Sequence, residues 1–198
     1  MPKFIALAIV SLICTRLYAQ NKTIDVRHYD FQLQLNDSNN LIHGVATVTL
    51  EFKENAPQFH LDLTKKNAEG KGMTVTKVSE NNTPVKFTQE SERLVIHSAG
   101  TNGSEHTYSI FYEGIPADGL IISNNKFGRR GFFGDNWPNR AHNWLPCVDH
   151  PSDKATVSFD ITAPDHYTVV ANGALKNEQA LENHRKLTQW VESQPLSP

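Results

Sequence analysis

Hydrophobic and polar residues alternate with a period of two along much of this chain. Tyr29, Phe31, Leu33 and Leu35 alternate with Asp30, Gln32 and Gln34. Gly44, Ala46, Val48, Leu50 and Phe52 alternate with Thr47, Thr49 and Glu51. Successive side chains of a strand point to opposite faces, so each run turns its apolar set to one side of a half-buried sheet. Residues 36–40, between the two runs, are rich in Asn, Asp and Ser, which predicts a hairpin.

The same signal recurs in shorter pieces. Phe59, Leu61 and Leu63 predict one strand, and Met73, Val75 and Val78 another after Gly70-Lys71-Gly72. Val85 with Phe87, Leu94 with Ile96, and Tyr108, Ile110 and Tyr112 continue the series. From Gly114 to Pro151 the alternation gives way to Gly, Asn, Arg and aromatic residues, which reads as one long loop with a task or a docking surface. Strands resume with Ala155, Val157, Phe159 and Ile161, then Tyr167, Val169 and Ala171 ahead of Asn172-Gly173, and a last one over Leu187 to Val191. Many short strands separated by Gly, Pro and Asn predict an all-β fold, a sandwich or curved sheet.

A chain of 198 residues suits one domain with a real core. Its formal net charge of −2 argues against nucleic acid as a partner, since such proteins carry a basic patch or stripe. The N-terminus changes the picture more. Lys3 precedes an apolar run from Phe4 to Cys14, and Leu17-Tyr18-Ala19 offers a cleavage site before Gln20. The run is too short to cross a hydrocarbon core of ~30 Å as a helix. Residues 1–19 are therefore expected to be a secretory signal peptide, leaving a domain over 20–198 that is exported to the periplasm or the extracellular space, with no membrane span after cleavage. Cleavage would remove Cys14 and leave Cys147 alone, so no intrachain disulfide is expected and Cys147 reads as a small buried hydrophobe.

The most informative stretch lies between Trp137 and Thr156. Pro146 and Pro151 bracket a tight excursion containing Cys147, Asp149 and His150. Asp149 can cap backbone N–H groups within it. Arg140 and Lys154 are available to pair with Asp149 or Asp153, and Trp137 and Trp144 can anchor the loop on the sheet. The spacing of Cys147, Asp149, His150 and His142 fits no common metal site, and no activating environment for a Cys147 nucleophile is visible.

Trp144-Leu145-Pro146-Cys147-Val148-Asp149-His150-Pro151, followed by Asp153-Lys154-Ala155-Thr156, resembles the hallmark of the N-terminal domain of the M1 (gluzincin) zinc aminopeptidases, the family that includes leukotriene A4 hydrolase and aminopeptidase N. There an Arg-containing approach and an aromatic or Leu lead into Pro-Cys-x-Asp-x-Pro and Lys-Ala-Thr. The resemblance implies a curved, twisted β-sandwich or saddle-like sheet. It assigns Arg140, Trp144, Pro146, Cys147, Asp149, Pro151 and Lys154 to the structural motif. It also implies a peptide substrate and a zinc-bearing catalytic domain, normally in the same chain, as partner.

M1 peptidases hold zinc through His-Glu-x-x-His, where two His one helical turn apart face one metal and the Glu activates its water. None of the nine His in this sequence begins that pattern, and the family's Gly-x-Met-Glu-Asn loop is absent too. No catalytic or metal-binding residue is therefore assigned here, and zinc is expected in a catalytic domain that this chain lacks. One contribution to the site is implied. The family's N-terminal domain supplies a Gln-x-Glu pair for the substrate's α-amine, and those places hold Asp135 and Trp137. Asp135 keeps a carboxylate, so it is the candidate substrate-binding residue, with a turn-capping Asp as the other reading. Three functions stay open: the non-catalytic cleft domain of an exported M1-type peptidase, a free-standing secreted β-sandwich binding module, or an enzyme of unrecognised chemistry.

Overall fold

The computed structural model describes residues 23–198, and the signal-peptide assignment for residues 1–19 lies outside them. The fold is all-β. Its strands are β1 (Ile24–Gln34), β2 (Ile42–Phe52), β3 (Phe59–Asp62), β4 (Gly72–Glu80), β5 (Thr83–Pro84), β6 (Phe87–Gln89), β7 (Arg93–Ile96), β8 (Glu105–Ile115), β9 (Leu120–Asn124), β10 (Arg130–Gly134), β11 (Ala155–Pro164), β12 (Ala174–Leu181) and β13 (Arg185–Leu196). A single turn of 3-10 helix, Ala141–Asn143, interrupts them.

Eight strands form the main sheet in the order β12-β13-β11-β1-β2-β8-β4-β5. Neighbours are antiparallel except β1 and β11, which run parallel with Tyr29 beside Val157 and Phe31 beside Phe159. A parallel pair needs a long crossover, and here everything between β1 and β11, β2 included, supplies it. Two small sheets, β3-β7-β6 and β9-β10, accompany the main one.

The period-two pattern explains the core. Val48, Leu50, Phe52, Tyr108 and Ile110 from the main sheet are fully buried, as are Leu61, Leu63, Leu94 and Ile96 from the three-stranded sheet and its flank. Phe59 joins the two layers, edge-on to Phe52 at 5.6 Å and tilted against Tyr108 at 4.9 Å between ring centres. Both are arrangements favoured by the ring quadrupole. Gly44 sits directly across from Tyr112 in the β2–β8 ladder, and the tyrosine ring lies over it.

Three elements differ from the alternation-based expectation. The stretch 114–151 is not one loop. It contains the β9–β10 hairpin, whose turn is tied by the Asn125 carboxamide accepting from the N–H groups of Phe127 and Arg129. Apolar residues occur there as adjacent pairs, Ile121-Ile122 and Phe132-Phe133, which hides the period of two. Tyr167, Val169 and Ala171 do not form a strand. The free edge of β11 is taken by β13, so this segment crosses the sheet face, with the Trp190 indole donating to the Val169 carbonyl at 3.2 Å. β12 carries no apolar alternation and is exposed at every position, yet it forms a hairpin with β13 through Asn183 and His184, both at positive φ. The loop is three residues long, 182–184, and Asn is among the residues that tolerate the left-handed region most readily.

Candidate functional site

The motif loop is fixed to the fold from three directions. The backbone of Cys147 exchanges two hydrogen bonds with Asp62 at the end of β3, at 2.7 and 3.2 Å. The Val148 N–H donates to the Tyr29 hydroxyl of β1 at 2.9 Å, and the Asp149 N–H donates to the Asp62 carboxylate at 3.0 Å. Pro146, Cys147 and Val148 are buried, whereas Pro151 and Lys154 are exposed. Cys147 is a free, buried thiol, and burial pushes its pKa well above the ordinary thiol value, so it is held neutral.

Asp149 caps the short 3-10 helix. One oxygen accepts the backbone N–H of His142 at 3.1 Å and faces its ring Nδ1 at 2.6 Å. The other ring nitrogen faces Glu92 at 3.4 Å. Burial opposes charging of His142, but the hydrogen bond to Asp149 and the charges of Asp149, Glu92 and Asp62 outweigh it, and its pKa lies above the ordinary value. This is a pinning network. It does not fit zinc: ligand atoms around one tetrahedral zinc stand about 3.3 Å apart, while Asp149 and His142 are in direct hydrogen-bond contact. Among the described residues, no group of three or more His, Cys, Asp or Glu comes together to hold a metal ion.

Arg140 pairs elsewhere than with Asp149 or Asp153. Its guanidinium reaches Asp135 at 2.6 Å and Asp118 at 3.8 Å, and its Nε donates to the Trp137 carbonyl at 2.8 Å. The reason is local: the backbone turns back at residues 136–140, with the Arg140 N–H bonded to the Asn136 carbonyl, and this brings the side chain over Asp135. The Asp135 N–H is fixed by the Gly119 carbonyl at 2.6 Å. One cation between two carboxylates leaves a net negative charge on a partly exposed cluster.

Asp135 stands between Gly134 and Asn136, both of which line an apolar groove of about 660 Å³. One wall is the sheet face carrying Phe31, Val157, Phe159 and Ile161; the other is β10 and the segment 167–172. Trp144 is buried at its base, and its indole donates to the Asn136 carboxamide at 3.0 Å. Trp137 does not anchor the loop. It is 76% exposed at the rim, with Phe133 and Val170 also open to solvent. Aromatic clustering signalled this surface in the sequence, but Asp118 and the 167–172 segment carried no signal there. They reach the site only through the crossing of the chain over the sheet.

Residues 26–198 match the family model of the peptidase M1 N-terminal domain. The chain belongs to that family. Over 63 residues it is 32% identical to the glutamyl aminopeptidases of Rattus norvegicus and Homo sapiens, a match to 32% of this chain and 7% of either relative. The fold is similar to the M1 zinc metallopeptidase of Deinococcus radiodurans, with a TM-score of 0.74 and 24% identity over 89% of this chain. It is also similar to yeast leukotriene A4 hydrolase, with a TM-score of 0.73 and 23% identity. This M1 N-terminal domain spans 40% of the first of those solved chains and 28% of the second. Membership in the M1 family therefore stands on the sequence match, and the all-β architecture on the fold.

Proposed function

We propose that this chain is the non-catalytic, substrate-cleft domain of an exported M1-type zinc aminopeptidase, and that the zinc centre belongs to a catalytic domain outside residues 1–198. The observation that carries the reading is the Asp118–Arg140–Asp135 cluster at the lip of the apolar groove, in a chain matched over 26–198 to the M1 N-terminal domain. The rigid motif loop holds that lip against the main sheet. Asp135 accepts a charge-assisted hydrogen bond from the α-ammonium of a peptide, for which its carboxylate keeps acceptor sites beyond the one used by Arg140. A D. radiodurans metallopeptidase of similar fold has been captured with a Tyr-Ser-Ala substrate, which supports a peptide as ligand. The charged start and short apolar run of residues 1–19 support export as part of this reading.

The coding locus read past Pro198 tests the assignment. A continuing frame with Gly-x-Met-Glu-Asn and His-Glu-x-x-His is the expected result. An immediate stop, with the same N-terminal domain secreted alone, would instead support the free-standing binding module. In the two-domain product, Asp135→Ala should raise KM for peptides with a free N-terminus roughly tenfold, as befits a lost charge-assisted bond. An unchanged KM removes Asp135 from amine recognition.

A further inference from the structure

The main sheet ends differently on its two sides. On one side the last strand is β5, two residues long and containing Pro84. A short strand with a proline offers few donors and blunts its edge. On the other side the last strand is β12, eight residues from Ala174 to Leu181, all exposed. β12 pairs with β13 on its inner side, and among the described residues no strand covers its outer side. It has no proline, and Leu175 and Leu181 are 47% and 38% exposed. Such an edge presents a row of backbone N–H and C=O groups to any strand that fits.

The charges on β12 decide what fits. Lys176 and Glu178 flank Asn177. When two copies of β12 pair antiparallel about Asn177, Lys176 of each copy lies opposite Glu178 of the other, and Ala174 lies opposite Ala180. Cross-strand pairs of opposite charge support pairing, and like charges opposite one another oppose it. Centring the pair on Glu178 or on Lys176 instead sets two like charges against each other, which disfavours those two registers. Lys176 is the extra residue of a bulge between Leu175 and Asn177 and has no partner position on β13. Glu178 touches Lys186 of β13 at 3.0 Å through one carboxylate oxygen and keeps the other.

We propose that β12 is a homotypic interface: two copies of this chain join edge to edge across a two-fold axis through Asn177, fusing their eight-stranded sheets into one. A two-fold contact is self-complementary and closes, so it yields a dimer and not a fibre. One strand from each partner is a small contact, and the association is concentration-dependent and exchanges rapidly. The interface uses neither Asp135 nor the apolar groove, and it stands apart from the proposed peptidase role.

Sedimentation velocity of the purified chain over a wide concentration range tests it. The unmodified chain dimerises at high concentration. Lys176→Glu and Glu178→Lys each oppose like charges twice across the axis and weaken the dimer by roughly tenfold or more. The double variant Lys176→Glu/Glu178→Lys exchanges the signs, restores both pairs and recovers most of the affinity. Circular dichroism of the four proteins is unchanged, since β12 is exposed throughout. A chain that stays monomeric at every concentration overturns the proposal. So does a dimer indifferent to the single substitutions, or a double variant no tighter than the singles.

Discussion

Asp149 holds His142 twice through one oxygen, by the backbone N–H at 3.1 Å and by ring Nδ1 at 2.6 Å. The same residue gives its own N–H to Asp62, so one short loop is locked to β3 and to the 3-10 turn that precedes it. Asp149→Ala removes both acceptor contacts and leaves a half-buried imidazole without its main partner. Loss of about 2 kcal/mol is expected for a charged group in such a network. Urea unfolding should show the midpoint falling with little change in slope.

That pairing also makes stability depend on pH. The folded-state pKa of His142 is raised, so the protonated ring contributes stability that is fully present below the unfolded value of about 6.5 and is lost as pH rises through the folded value. Asp149→Asn weakens the attraction and should flatten the curve in this window. A stability profile measured between pH 6 and 8 checks it.

Asp153 gives a second effect of the same sign at lower pH. It is buried, with its Oδ2 making no hydrogen bond among the described residues, and burial pushes its pKa from 3.8 up to about 6. Its ionisation therefore opposes folding. The stability of the neutral form is complete below about 4 and is lost as pH rises through about 6, by on the order of 2 kcal/mol. Asp153→Asn should be flat over that range and more stable than the unmodified chain at pH 7. An unchanged slope between pH 4 and 6 would contradict the burial argument.

Gly44 is required by its neighbour. A Cβ at that position would fall 2.3 Å from the Tyr112 ring, which is itself buried. Gly44→Ala should cost about 1–3 kcal/mol through overpacking. Tyr112→Leu should relieve part of that cost, so the pair should be strongly non-additive in thermal or denaturant unfolding.

Much of this fold was readable from alternation alone. The β1–β2 hairpin and strands β8 and β11 follow from Tyr29-x-Phe31, Val48-x-Leu50, Tyr108-x-Ile110 and Val157-x-Phe159, because each has one face on the core. β12 was not readable, since an edge strand exposed on both sides carries no apolar period and is specified by its turn and by β13. The segment 167–171 misled for the opposite reason: Tyr167 and Val169 are spaced like a strand but cover the groove. At the candidate site, the Pro146–Pro151 motif was legible as types and spacing, and Asp135 entered as a candidate only through the resemblance that motif carries. The partners of Arg140 were not: Asp135 meets it only because the backbone turns back at residues 136–140, and Asp118 comes from a separate part of the chain and meets it only after folding.

In the proposed reading these residues build a wall of a cleft and not a catalytic centre. Metal analysis and aminopeptidase assay of the purified chain, with and without added zinc, test it most directly. Less than a tenth of an equivalent of retained zinc and no turnover of peptides are expected. One tightly held zinc per chain, with peptide hydrolysis that a chelator abolishes, would contradict the account.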